Sequence, residues 1–239
     1  MDEIGKAPEL MGEAQRKEVA VIIPAFNEEQ RILTVLAAAK ASKLTTEIIV
    51  VDDGSVDRTS EVARSVSGVQ VIRLKKNQGK GGAMVKGVQA TKAPILAFID
   101  ADLGGLTGQH IDDIIRPLLS GQCDMCVGIF RGGKVWSDMA QRVAPFLSGQ
   151  RALKRELFEA VPYMSELRMG VEWGLNNAAD RRKAKVVRVL IRGVSNCAKE
   201  QKLGILPGLR ARGLMYKEIT EAMVKTRRRK PPRGPRRRR

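Results

Sequence analysis

Two carboxylates follow directly on a short apolar run near the middle of the chain. Asp100 and Asp102, with one alanine between them, come after the run at residues 95–99. Such a run predicts a buried strand, whose carboxyl end would place both acids at the sheet edge where open α/β folds bind ligands. Mg²⁺ and Mn²⁺ bind one or two carboxylates together with water and substrate phosphate. The pair therefore predicts a metal–diphosphate site, although an isolated pair is more often a helix cap or a turn.

Three further predicted strands lie upstream of this pair. The apolar runs at 19–23 and 48–51 predict buried strands, and the segment at 69–74 predicts a third strand. The segments that follow them have helical patterns, from about 28 to 41, around Val62 and Val66, and from 79 to 90. Strands and helices that alternate over short links are typical of βα units in a parallel sheet. We therefore predict an α/β fold.

The segment after the third predicted strand carries three glycines around a lysine. Gly79, Gly81 and Gly82 at a predicted helix start would let backbone amides approach phosphate, and Lys80 adds a point charge. The segment is not a Walker A motif, because it lacks the first glycine and the Ser or Thr after the lysine. For Lys80 alone, the alternative is a solvated lysine. However, a polar motif follows each of the four predicted strands, and four such motifs at successive strand ends indicate one site.

The pattern changes after residue 131. A strand is predicted at 124–130, just before this change, and the elements predicted after it are helices at 152–160, 171–182 and 209–225 and a strand at 186–191. We predict a disordered lead at 1–17 and a single domain at 18–226. Its nucleotide-binding half would be 18–130 and its acceptor half 131–226.

The motifs PAFNEE, VDDGS, GKGGA and DADL, in this order, resemble those of glycosyltransferase family 2. The resemblance covers about residues 18–200 and is strongest to the branch with glucosyl-3-phosphoglycerate synthases and polyprenyl-phosphate glycosyltransferases. It implies a GT-A-type, Rossmann-like, mostly parallel sheet flanked by helices, with a helical acceptor-side C-terminal half.

The resemblance also implies roles for individual residues. Asp102 would ligate Mg²⁺ or Mn²⁺ bridging the two phosphates of a nucleotide sugar, and so take part in catalysis. The ion would neutralise the charge that develops on the departing nucleoside diphosphate. The residues implied to bind the nucleotide sugar are Pro24, Ala25, Glu28, Asp53, Ser55, Lys80 and Asp100.

Two later segments resemble the acceptor side of such enzymes. Gly149 and Arg151, within the sequence SGQR, resemble the loop that meets the acceptor. Glu172, within GVEW, resembles a glutamate that lies near the transferred sugar, and it is our one candidate for a catalytic base. A surface acid on a helix is the alternative for Glu172, and we expect Trp173 to lie in the core.

One departure from the family pattern concerns the metal. Relatives commonly supply a histidine ligand from a Gly-Val-x-His loop, whereas this chain has Asn196 at that position. An asparagine oxygen suits a hard cation, so the predicted metal ligands are Asp102 and Asn196. His110, the one histidine of the chain, is predicted to be structural.

The function predicted from these motifs is transfer of a sugar from a nucleoside-diphosphate sugar to a phosphorylated acceptor, either a polyprenyl phosphate or a small molecule. One alternative is a sugar-phosphate nucleotidyltransferase, although such enzymes usually carry a GxGTR-like loop where this chain has Pro24 to Asn27. The other is a degenerate module that binds nucleotide sugars without catalysis, which Asn196 motivates.

The net charge of +17 is concentrated at the C-terminus. Nine of the 43 Lys and Arg residues lie at 227–239, which leaves +8 on the rest of the chain. A proline-rich segment with this charge cannot bury apolar surface, so we predict a disordered polybasic tail. Anionic lipid is the favoured partner, ahead of no partner, and nucleic acid comes third because aromatic residues are few. The chain shows no signal peptide or membrane span, which favours a cytoplasmic location with peripheral attachment to the inner membrane face.

Cys123 and Cys126 have the spacing of a zinc or redox pair. No second pair accompanies them, and the segment has the pattern of a strand, on which residues three apart point to opposite faces. We therefore predict two buried small apolar residues without redox or metal chemistry.

Overall fold

Seven strands form one mixed sheet in the computed structural model, which describes residues 18–131 and 148–196. The strand order is β3-β2-β1-β4-β7-β6-β8, and β5 and β9 form a separate two-stranded ladder. The strands are β1 (Val19–Ala25), β2 (Glu47–Asp52), β3 (Gln70–Arg73), β4 (Ile95–Phe98), β5 (Leu103–Gly104), β6 (Met125–Arg131), β7 (Arg151–Lys154), β8 (Val186–Arg192) and β9 (Ser195–Asn196). The helices are α1 (Ile32–Ala41), α2 (Thr59–Arg64), α3 (Gly79–Gln89), α4 (Gly108–Leu119), α5 (Arg155–Glu159) and α6 (Val171–Arg182).

Strand β1 lies inside the sheet, and its apolar run is explained by helices on both faces. Val21 and Ile23 join a core that contains residues of α1, α2 and α4, whereas Ala20 and Ile22 join one that contains residues of α3, α5 and α6. Strand β1 pairs in parallel with β2 and β4, and β2 pairs in parallel with β3. The α/β fold with a largely parallel sheet is therefore confirmed.

The predicted helix near residues 152–160 is wrong in its first part. Residues 151–154 form β7, which runs antiparallel between β4 and β6, and only Arg155–Glu159 is helical. Four residues are too few to show a periodicity, and both partner strands are distant in sequence. The second half therefore contributes strands β7 and β8 to the central sheet as well as helices.

Other predictions for the second half are confirmed where the structure describes the chain. Helix α6 and strand β8 lie where they were expected. The predicted lead at 1–17, the helix at 209–225 and the tail at 227–239 lie outside the described residues. Across 18–131 and 148–196, no helix combines the length and apolar character that crossing a membrane requires.

Cys123 and Cys126 are buried free thiols, as predicted, but they do not face opposite sides. Both belong to the core that contains α1, α2 and α4, because Cys123 precedes the start of β6 at Met125 and does not follow the strand geometry. Burial raises the pKa of Cys126 to about 12 and that of Cys123 above its usual value. Thiols that stay protonated are poor nucleophiles and metal ligands.

Asp112 fastens α4 to the end of α1. Its side chain is 2% exposed and accepts hydrogen bonds from the Ser42 hydroxyl at 2.6 Å and from the backbone amides of Lys43 at 3.1 Å and Leu44 at 3.2 Å. One carboxylate thus serves three donors in the turn after α1. These bonds tie α4 to the segment that connects α1 to β2.

Replacing Asp112 with Ala should lower the free energy of unfolding by about 2–3 kcal/mol, because donors in the turn lose their acceptor. Urea denaturation would measure the loss. Asp113→Ala is the matched control, since the Asp113 carboxylate accepts from Gln109 on the same helix in an exposed position. The control should stay within about 0.5 kcal/mol of the unaltered protein, and equal losses in both variants would contradict the assignment.

Candidate active site

Two neighbouring loops at the carboxyl edge of the sheet are joined by hydrogen bonds. In the loop after β1, the Asn27 amide donates to the Ser55 hydroxyl at 2.9 Å, and the Asn27 side-chain oxygen accepts from the Val56 amide at 3.0 Å. The Glu28 amide donates to the Thr59 hydroxyl at 2.8 Å. The predicted residues Glu28 and Ser55, both largely buried, therefore belong to two joined loops, and Pro24 and Ala25 lie at the end of β1 that leads into the first of them.

Asp52, which had no predicted role, holds the second of these two loops in place. Its fully buried carboxylate accepts from the Ser55 amide at 2.8 Å and from the Ser60 hydroxyl, and lies 3.7 Å from Arg73. A cavity of about 310 Å³ opens beside the same turn. Its lining residues are Gly54, Ser55, Arg73, Leu74 and Lys75.

Asp53 points to the start of α3. One carboxylate oxygen accepts from the Gln78 amide and the other from the Gly79 amide, both at 2.7 Å. Burial raises the pKa of Asp53, although these two amides act in the opposite direction. The amides of Gln78 and Gly79 are therefore already paired with a carboxylate of the protein.

The glycines of α3 bring another part of the chain close. A Cβ on Gly81 would overlap the carbonyl oxygen of Met164, and one on Gly79 would press on the Arg168 side chain. Both partners belong to two 3₁₀ turns, Met164–Glu166 and Arg168–Gly170, which lead into α6. We expected these glycines to admit phosphate, and the structure shows that Gly79 and Gly81 admit the segment that precedes Glu172.

Lys80 lies between two carboxylates that are far apart in sequence. Its ammonium is 2.6 Å from Asp100 Oδ1 and 2.7 Å from Glu172 Oε1, and its side chain is 13% exposed. Burial opposes the charge of Lys80, but the two carboxylates outweigh it and hold the pKa of Lys80 above its usual value. Burial likewise opposes the charge of Asp100, yet Lys80 and Gln150 hold the pKa of Asp100 below its usual value.

The segment before β7 closes this cluster. A Cβ on Gly149 would overlap the Asp100 carboxylate and lie 2.7 Å from Lys80 Nζ, so only glycine fits beside the ion pair. The fully buried Gln150 donates from Nε2 to Asp100 Oδ2 at 2.7 Å and accepts from the Ser148 hydroxyl at 3.1 Å. Sequence reasoning missed Gln150, because a buried glutamine in a short segment carries no recognisable pattern.

Arg151, predicted to meet the acceptor, is 1% exposed. Its guanidinium donates to the Ser148 carbonyl at 2.5 Å and to Asn176 Oδ1 at 3.2 Å. Asn176 was also missed, although it lies one helical turn after Glu172. The structure therefore places Arg151 beneath the cluster of Lys80 and its two carboxylates.

The two predicted metal ligands lie at the small ladder of β5 and β9. Asp102 directly precedes β5, and Asn196 in β9 pairs with Leu103, the first residue of β5. Among the described residues no group of three or more His, Cys, Asp or Glu side chains is arranged to hold a metal. His110 is structural, as predicted, since its ring nitrogen and amide form a capping box with Thr107 at the start of α4.

Sequence comparison identifies the family. A model of glycosyl transferase family 2 matches residues 20–172, which is more than half of the chain. The chain belongs to this family.

The match to each individual relative covers only part of this chain. An uncharacterized protein of Methanocaldococcus jannaschii is 36% identical over 135 residues, 54% of this chain and 53% of that protein. Human dolichyl-phosphate beta-glucosyltransferase is 39% identical over 101 residues, 36% of this chain and 31% of that protein. The chain thus spans about half or less of the length of these relatives.

Solved structures agree with the fold over a longer stretch. Glucosyl-3-phosphoglycerate synthase from Mycobacterium tuberculosis, in complex with Mn²⁺, UDP-glucose and phosphoglyceric acid, superposes with a TM-score of 0.71 at 27% identity. The match covers 88% of this chain and 79% of that chain. The GT-A-type fold expected from the resemblance is confirmed.

Replacing Lys80 with Met should destabilise the protein by about 3–5 kcal/mol at pH 7, because two buried carboxylates lose their cation. The pKa of Asp100 is lower in the folded protein than its ordinary value of 3.8, so ionised Asp100 stabilises the fold at pH values above 3.8. This contribution is lost as the pH falls through the pKa of Asp100 in the folded state. Without Lys80, burial raises the pKa of Asp100 instead. The cost should therefore be smaller at pH 4 than at pH 7, in urea denaturation with chelator present.

Lys86→Met provides the control, since Lys86 on the same helix contacts Gln89 in an exposed position. The control should be nearly neutral at both pH values. A cost for Lys80→Met that does not change between pH 7 and pH 4 would contradict the electrostatic assignment.

Proposed function

We propose that this protein is a metal-assisted glycosyltransferase that moves a sugar from a nucleoside-diphosphate sugar to a phosphorylated acceptor. The observation that carries the proposal is the position of Lys80 between Asp100 and Glu172 at the carboxyl edge of the sheet. This is the edge where open α/β sheets bind ligands. The family assignment and the UDP-glucose complex of the M. tuberculosis enzyme support it.

The base and ribose would occupy the loops after β1 and β2. Pro24 and Ala25 at the end of β1, with Glu28 and Ser55 in the two joined loops, would contact them. Phe26, whose side chain is 44% exposed, adds an aromatic ring on which a base can stack. Asp53, whose two oxygens are held by the start of α3, would act by fixing that loop and not by binding the base directly.

The diphosphate would lie between Lys80, Asp100 and the start of β5. Asp102, and Asn196 on the paired strand, suit a hard cation, because Mg²⁺ commonly takes one or two protein carboxylates and leaves the other positions to phosphate and water. When bound, the ion would supply Lewis-acid neutralisation of the departing nucleoside diphosphate. Lys80 would add a positive charge beside the same group.

The transferred sugar would lie near Glu172, with the acceptor approaching past Gly149. Glu172 is 8% exposed and bonded to Lys80, so it is held in one position beside the sugar. The absence of a Cβ on Gly149 leaves backbone next to the ion pair. A phosphorylated acceptor fits the relatives, which include a dolichyl-phosphate glucosyltransferase and a synthase crystallised with phosphoglyceric acid.

Isothermal titration with UDP-glucose, GDP-mannose and UTP, with Mn²⁺ and then with chelator, tests the proposal. One sugar nucleotide should bind with Mn²⁺, and chelator should weaken the binding. Asp102→Ala should abolish the metal dependence, whereas Asp113→Ala on α4 should bind like the unaltered protein.

The other outcomes separate the alternative functions. Binding of UTP and neither sugar nucleotide would replace the proposal with a nucleotidyltransferase. Binding without turnover, against polyprenyl phosphate and phosphoglycerate, would indicate a degenerate binding module. No binding of any nucleotide would overturn the donor site itself.

We further propose that the basic segment at 227–239 brings the protein to anionic membranes. Each basic residue near such a surface contributes about 1 kcal/mol, and nine of them lie in this segment. A membrane position would bring the enzyme to a lipid-phosphate acceptor.

Sedimentation with phosphatidylserine-containing vesicles tests the tail. The full chain should sediment with these vesicles at low salt and be released as the salt concentration rises, because the attraction is screened. A variant of equal length with the nine basic residues replaced by Gln should stay in solution, and neutral vesicles should bind neither. Equal sedimentation of both variants would exclude the tail as the anchor.

A further inference from the structure

A single buried guanidinium lies beneath the cluster formed by Lys80, Asp100 and Glu172. Arg151 projects from β7, between the strand that leads to Asp100 and β6, and it is 1% exposed. Burial lowers the pKa of Arg151, although Glu172 and Asp100 act in the opposite direction. Burying a charged side chain costs free energy. Its presence here therefore indicates a function that an apolar residue could not perform.

One side of the guanidinium fixes the segment that contacts Asp100. Nη2 of Arg151 donates to the Ser148 carbonyl at 2.5 Å, and the Ser148 hydroxyl donates to Gln150 Oε1 at 3.1 Å. Gln150 in turn donates from Nε2 to Asp100 Oδ2 at 2.7 Å. The position of the Asp100 carboxylate is therefore connected to Arg151 through two residues.

The other side of the guanidinium fixes the helix that carries Glu172. Nη1 of Arg151 donates to Asn176 Oδ1 at 3.2 Å. Residues four apart on a helix lie on the same face, one turn from each other, so Asn176 sets the position of Glu172. The carboxylate of Glu172 then meets Lys80 at 2.7 Å.

We propose that Arg151 is a positioning residue that sets both carboxylates on Lys80, in place of the direct acceptor contact predicted from the sequence. A planar guanidinium donates in two fixed directions, whereas a lysine offers one point charge. The Arg151→Lys variant would therefore not keep both sets of hydrogen bonds. The role in sugar transfer rests on the proposed function, but the geometry of the cluster does not.

Double-mutant cycles measured by urea denaturation, without substrate or metal, test the geometry. The cycle of Lys80→Met with Glu172→Gln and the cycle of Lys80→Met with Asp100→Asn give the two coupling energies. In an Arg151→Met background both couplings should fall below half of their original values. Because no ligand is present, a failure here is distinct from a failure of the proposed activity.

Two milder backgrounds separate the two sides of the guanidinium and decide the question even if Arg151→Met does not fold. Asn176→Leu should weaken the coupling of Lys80 with Glu172 and leave that with Asp100 unchanged. Gln150→Leu should do the reverse.

Arg155→Met is the matched control background. Arg155 lies four residues on and donates to the carbonyls of Ala93, Val88 and Thr91 at the end of α3. Its loss should reduce stability while leaving both couplings unchanged. The proposal would be overturned if the couplings persist in the Arg151→Met background, or if Asn176→Leu and Gln150→Leu leave them unchanged. It would also be overturned if they fall equally in the Arg155→Met background.

Kinetics provide a second measurement once turnover is established. Asn176→Leu should lower kcat about tenfold or more with little change in donor Kd, because it displaces Glu172 by a small distance. Gln150→Leu should mainly weaken donor binding, and Arg151→Lys should show both defects. An Arg151→Lys variant with unaltered kcat and donor Kd would contradict the assignment.

Discussion

The ion pairs of Lys80 with Asp100 and Glu172 join three parts of the fold. The lysine begins α3, Asp100 follows β4, and Glu172 lies in the first turn of α6. An unpaired carboxylate in so enclosed a place would cost several kcal/mol. Two carboxylates can therefore lie at this edge of the sheet because one ammonium is within hydrogen-bonding distance of both.

This arrangement limits what the surrounding residues can be. The 3₁₀ turns before α6 approach α3 closely enough that Gly81 has no room for a Cβ, and Gly149 has none beside Asp100. Gly79 and Gly81 of the GKGG segment thus allow the segment before Glu172 to approach Lys80. Asp53 already occupies the amides of Gln78 and Gly79, and Lys80 is already paired with two carboxylates. Most of the positive charge for a diphosphate would therefore come from a bound cation.

Much of the nucleotide-binding half could be predicted from sequence, because its parallel strands are apolar runs and their polar ends follow in order. Lys80, Asp100 and Asp102 became candidate site residues in this way, and Asp53 through the family motif that contains it. Strand β7 was missed because antiparallel pairing with β4 and β6 depends on contacts between distant residues, which a local pattern does not contain. Gln150 and Asn176 were missed for the same reason, since their importance comes only from their partners, Asp100 and Arg151.

Arg151 illustrates how burial changes an interpretation based on a motif. The SGQR sequence resembles a loop that meets the acceptor, and nothing in the sequence opposes that interpretation of Arg151. In the fold the residue lies on a central strand, where its guanidinium bonds to the Ser148 carbonyl and to Asn176. A cation held there still adds positive potential near the site, and under the proposed role its hydrogen bonds would set the positions of Asp100 and Glu172. The charge that a motif supplies to a site can therefore act from beneath it as well as at the substrate.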